Sequence, residues 1–185
     1  TGADTRTIPD GITVLKPNQV DLSWTNNYTL DWLSQSMTLD FYKSLHPDKP
    51  YFDSEWHGLD TGKWRHFNMP RPYVRAALWL AFTHGMNMIQ TWVWGRQNDG
   101  SFDTVNSSFI GEVLTQPTAL DAYGRTLKEL NAHARTITDL VNQERPFLLF
   151  YCEDAAIQDS DHVPGLAAVY ESLKLLNLRV GFTTP

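Results

Sequence analysis

Between Tyr73 and His84 the chain reads Tyr-Val-Arg-Ala-Ala-Leu-Trp-Leu-Ala-Phe-Thr-His, a helical segment that is apolar nearly all round. A helix of that kind has to be covered on most of its circumference, so it belongs on a sheet. Pro70 and Pro72 open it, and Gly85 suits its C-terminal cap. A strand-like run lies on each side. Upstream is Lys49-Pro-Tyr-Phe-Asp-Ser-Glu-Trp-His-Gly58, in which Pro50 restricts the entry, Tyr51 and Phe52 favour a strand, and Gly58 ends the run. Downstream is Met88-Ile-Gln-Thr-Trp-Val-Trp-Gly95. Both runs end in aromatic and polar residues, and the first carries a carboxylate, Glu55, near its end.

The rest of the chain repeats this alternation. Strands are expected at 12–15, at the alternating run Gln19–Trp24, at 88–94, over Phe147-Leu-Leu-Phe-Tyr-Cys152, and over 178–182. Helices are expected at about 30–45, where Leu30, Leu33, Met37, Phe41 and Leu45 share a face, with Thr29 or Asp31 as cap. Further helices are expected at 73–84, as one long amphipathic element from Pro117 to about 143, and at about 164–176; residues 153–161 read as an acidic loop. The order is α/β with parallel strands. A break at Asn142–Pro146 divides the chain into 1–143 and 146–185. Strands that end in aromatic and polar side chains fit a (β/α)8 barrel, whose sites lie at its C-terminal face. A whole barrel takes about 200 residues or more, and three β-α units fit before residue 143, so the first part reads as the C-terminal portion of a barrel. The strand 147–152 is apolar on both faces and calls for cover on both.

With 42% apolar residues the chain is globular, and its net charge of −6 argues against a nucleic-acid backbone as partner. Seven Trp and seven Tyr either fill the core or line a cleft that stacks on sugar rings or bases. The single cysteine, Cys152, closes no internal disulfide and indicates no redox compartment. No apolar run approaches the roughly 18 residues of a membrane span, so a soluble protein is expected, cytoplasmic or else periplasmic or secreted. The start at Thr1, without Met or a signal-like segment, reads as processing or as part of something longer.

Several constellations are weighed around Glu55. Alone, it reads either as a surface loop acid or as a strand-end carboxylate aimed into a site. Asp53, Glu55 and His57 alternate on one face, a spacing that can bind a metal, but Asp53 would then point into the packed barrel. The expectation is therefore no metal and no cofactor. The chain has no Gly-rich phosphate loop and no Ser in a nucleophile elbow. A response-domain reading with Asp154 as the acidic site leaves the strands at 51–56 and 88–94 unexplained.

Taken in order, these motifs resemble clan A glycoside hydrolases, and within them the family 42 β-galactosidase-like enzymes. Tyr51-Phe-Asp-Ser-Glu55 is similar to the end of the seventh barrel strand, which carries the nucleophile. Ala76–Gly85 is similar to the helix that follows, Trp92-Val-Trp-Gly-Arg96 to the eighth strand end, and Asp21–Tyr28 to the sixth. The resemblance covers about residues 19–182, and residues 146–185 then correspond to the start of a flavodoxin-like domain. It implies a retaining glycosidase that cleaves β-glycosidic bonds with Glu55 as nucleophile. Substrate contacts are implied for Trp24, Asn27, Tyr28, His57 and Trp94. Tyr28 either donates to Glu55 or packs on the barrel rim; Asn26 and Asn27 either bind sugar hydroxyls or serve the turn. Trp94 is the candidate floor under the sugar. Trp92 reads as core and His84 as structural, while Trp56, Trp64 and His66 border the site at most. The family's acid/base Glu follows an Asn on the fourth strand, and no Asn-Glu pair occurs in this chain. The implied partners are an oligo- or polysaccharide and further copies of the chain, with neither nucleic acid nor membrane. The alternative is a non-catalytic carbohydrate-binding or assembly module with a barrel-derived fold.

Overall fold

A computed structural model describes residues 5–7, 13–15, 32–56, 70–91, 99 and 117–185. The first sheet has four strands in the order β1 (Thr5–Thr7), β2 (Thr13–Leu15), β3 (Tyr51–Trp56) and β4 (Met88–Thr91). β1 and β2 form an antiparallel pair, whereas β2, β3 and β4 run parallel. The strand expected at 12–15 is present, and its partner β1, a polar Thr-Arg-Thr, carried no hydrophobic signal. Over Tyr51–Asp53 β3 pairs with β2, and the strand expected at 19–24 lies outside the described residues.

Helix α1 (Trp32–Leu45) leads through residues 46–50 into β3. Its apolar residues point two ways. Leu39 and Tyr42 are buried with Ala81 and Met86, while Leu33, Met37 and Phe41 pack on Tyr170, Val180 and Phe182. Helix α2 (Arg71–Thr83) connects β3 to β4. It buries Val74, Ala77 and Leu78 against Ala119, Ala122 and Leu130 of α3 (Pro117–Ala132). Arg75 adds a paired contact, Nε and Nη2 donating to the two oxygens of Glu129. The end of α2 is a Schellman turn: Gly85 N–H donates to Phe82 O and Met86 N–H to Ala81 O. Gly85 has φ +102°, and a Cβ there would meet Lys43 and Val141 at 3.1–3.2 Å, so glycine is required twice over.

The long helix expected from 117 to 143 is two helices. At His133 the backbone leaves helical geometry (φ −103°, ψ 9°), and α4 (Ala134–Val141) follows. The apolar spacing runs through this point, so periodicity alone gave no sign of the break. Residues 147–183 form a second sheet, in which β5 (Phe147–Phe150) and β6 (Val180–Thr183) pair in parallel. Two helices connect them, α5 (Glu153–Gln158) and α6 (His162–Leu175). The acidic stretch expected as a loop is thus partly helical, with Glu153 and Asp154 in the first turn of α5, where negative charge suits the helix dipole. Phe147, Leu148 and Phe150 of β5 are 42–59% exposed, so the cover expected on both faces is not present among the described residues. Leu149 faces inward, onto the cluster of Tyr170, Val180 and Phe182.

Candidate active site

Because β2, β3 and β4 are parallel, their C-terminal ends share one edge of the sheet. Leu15, Trp56 and Thr91 are the last residues of the three strands. Glu55 is the last but one residue of β3, and Trp56 is in register with Thr91. The register is not uniform. Asp53 pairs with Ile89 and Trp56 with Thr91, so β3 spends one residue more than β4 between these two points. That extra residue falls at Ser54–Glu55. A bulge of this kind bends the strand and re-aims the side chain it carries, and bulges recur at barrel rims and beside active sites. Of the three residues on which a metal spacing was considered, Asp53 and Glu55 lie on β3 and His57 lies outside the described residues. Among the described residues no group of three or more His, Cys, Asp or Glu is placed to hold a metal ion.

The other expected site residues follow the strand ends in sequence. His57 is the second residue after Glu55 and Trp94 the third after Thr91, and both lie outside the described residues. The same holds for Trp24, Asn27 and Tyr28, and for the side-chain surroundings of Glu55. Among the site residues, then, the structure gives Glu55 its position on the backbone and leaves the other five outside its description.

At the opposite edge, below the N-terminal ends of β3 and β4, lies a buried cluster that sequence reasoning missed. Asp40 of α1 is 4% exposed. Its Oδ2 accepts from Tyr170 Oη at 2.7 Å and from Lys174 Nζ at 3.2 Å. His84 Nε2 and Arg145 Nη2 stand 3.9 and 3.8 Å from its carboxylate oxygens. Burial, with the Asp40 carboxylate beside it, pushes the Tyr170 hydroxyl far above the usual phenol range, so it stays a proton donor. Burial also lowers His84, with Lys174 and Arg145 adding to the effect against the pull of Asp40, and its Nδ1 lies 2.8 Å from Leu80 O. Lys43 on the same helix is lowered as well, mainly by burial and then by Arg145, and its Nζ donates to Pro47 O. Periodicity gave no sign of this cluster, since Asp40 reads as a polar position of an amphipathic helix and its partners come from distant stretches of the chain.

No protein-family model matches the chain, and no match was found among curated proteins. Among solved structures the chain is similar to the apo exo-carrageenase GH42 from Bacteroides ovatus. The two are 34% identical, with a TM-score of 0.75 over 88% of this chain and 22% of that one. This chain is related to a glycoside hydrolase. The relation is in sequence as well as fold, and it supports a family 42-like α/β fold. The chain spans about a fifth of the length of that structure. Among the described residues no helix is long and apolar enough to cross a membrane.

Proposed function

We propose that this chain carries the nucleophile-bearing part of a retaining β-glycosidase, with Glu55 as the nucleophile. The observation that carries the reading is the backbone of Glu55. It stands on a bulge at the C-terminal end of a parallel strand, in a chain 34% identical to a family 42 glycoside hydrolase. Parallel barrels carry their catalytic side chains at that end. A retaining glycosidase needs two carboxyl groups about 5 Å apart. Glu55 as carboxylate attacks the anomeric carbon and expels the leaving group, which takes a proton from the second carboxyl group. Water then attacks the glycosyl-enzyme ester, the second group removes its proton, and Glu55 leaves as carboxylate. Trp94 serves as the apolar floor, with Trp24, Asn27, Tyr28 and His57 contacting the sugar. The acid/base carboxyl lies outside this segment, and the 185 residues alone are inactive, since general acid catalysis is worth about 10²–10⁴-fold.

Residues 146–185 are read as the start of a flavodoxin-like domain that assembles the protein into a homo-oligomer. In support, β5 and β6 form a parallel sheet of their own, and apolar side chains on β5 face outward. The test is mechanism-based labelling of the natural polypeptide with a 2-deoxy-2-fluoro-β-galactoside that has a dinitrophenyl leaving group. Such a leaving group departs without acid assistance. Mass spectrometry is expected to find the label on the peptide containing Glu55. Turnover of the parent galactoside with the label on another residue overturns the assignment, and no turnover of any β-glycoside favours the non-catalytic binding or assembly module.

A further inference from the structure

We propose that Asp40 is a charge latch that docks the 146–185 unit on α1 in one register. The apolar part of that contact is broad and undirected. Phe41 meets Phe182 edge-on at 5.4 Å between ring centroids, and Met37 and Leu33 fill in beside it. Packing of that sort tolerates a slip of α6 along α1. The polar groups do not. Gln35, Ser36, Asp40 and Lys43 are all buried, on a helix whose apolar residues already face both sides. Asp40 draws its partners from three separate places in the chain: His84 at the end of α2, Arg145 before β5, and Tyr170 and Lys174 one turn apart on α6. Ser44 adds a backbone tie, donating to Asp40 O at 2.6 Å and accepting from Phe182 N–H at 3.0 Å. Gly181 makes room for the approach, since a Cβ there would lie 2.9 Å from Arg145 Cδ and 3.1 Å from Ser44 Oγ.

Any other register would leave the carboxylate buried with its partners out of reach, which is the costly case for a buried charge. Tyr170 stays protonated and Lys174 lies over its ring at 5.6 Å, so the two α6 partners form a preset pair that meets one acceptor. The latch joins α1, the end of α2 and α6, and none of its contacts among the described residues involves Glu55. It stands independently of the glycosidase reading.

Hydrogen exchange on the natural polypeptide that contains this segment tests the latch. In Asp40→Asn, which keeps the volume and removes the charge, amides of α6 and β6 are expected to exchange at least about tenfold faster, as a separate opening unit. Amides of α2 and α3, around Val74, Leu78 and Leu130, are expected to stay within about twofold of the parent. Equal acceleration of both regions, or no change in either, overturns the proposal. Should Asp40→Asn fail to fold, Lys174→Met, changed on the partly exposed side of the cluster, must give the same selective pattern. If both variants fail to fold, the cluster holds the whole fold and the latch is refuted.

Discussion

The hydroxyl of Tyr170 donates to the carboxylate of Asp40 at 2.7 Å, tying α6 to α1 across 130 positions of sequence. Both residues are almost wholly buried, so nothing in solvent replaces the bond when it is removed. Tyr170→Phe keeps the ring stacked on Phe182 and leaves the Asp40 oxygen one donor short. The expected loss is about 1–3 kcal/mol in urea unfolding of the chain. A midpoint equal to that of the parent would show that the ring alone carries the contact.

The pH dependence follows from His84, whose pKa burial lowers in the folded chain against the pull of Asp40. The unfolded value is about 6.5. Below that pH the unfolded chain takes up a proton that the folded chain resists, so this contribution to stability is present above about 6.5 and is lost as pH falls. Asp40, Lys174 and Arg145 face the ring. Urea midpoints measured between pH 7.5 and 5.5 should fall, and His84→Gln should flatten that part of the curve.

Two helix ends make a matched comparison. Gly85 has φ +102° with two side chains against the space of a Cβ, and Asn177 has φ 58° in the same type of turn, with Leu178 N–H donating to Leu173 O. Gly85→Ala should cost about 1–2 kcal/mol from the left-handed backbone alone, and more with the contacts. Asn177→Gly should change stability by less than about 1 kcal/mol, because Asn already tolerates that conformation. Calorimetry of the two variants side by side gives the ordering.

Leu78 is fully buried between α2 and α3, among Val74, Ala77, Ala119, Ala122 and Leu130. Leu78→Ala opens a cavity there and should cost about 2–5 kcal/mol in the denaturant midpoint. A cost under about 1 kcal/mol would mean that the two helices close over the gap.

Local elements were legible where the backbone or the apolar period is distinctive, though β1, α5 and the split between α3 and α4 were not. The apolar helix 73–84 between two strand-like runs led to β3, α2 and β4, because so apolar a helix must be covered over much of its surface, cover that α3 largely supplies. Gly85 and the two prolines placed the ends of α2, since backbone limits at glycine and proline act locally. Glu55 was legible as a strand-end carboxylate for the same reason. Tertiary structure decided what those elements do to one another. The bulge at Ser54–Glu55 is a mismatch between two strands, and no property of one strand alone encodes it. The break at His133 and the pairing of β3 with β2 depend on which surfaces meet, while the hydrophobic period runs on unchanged. Asp40 shows the difference most directly. On the sequence it is one polar residue of an amphipathic helix, which belongs in water; in the fold, partners from three distant stretches bury it and neutralise its charge.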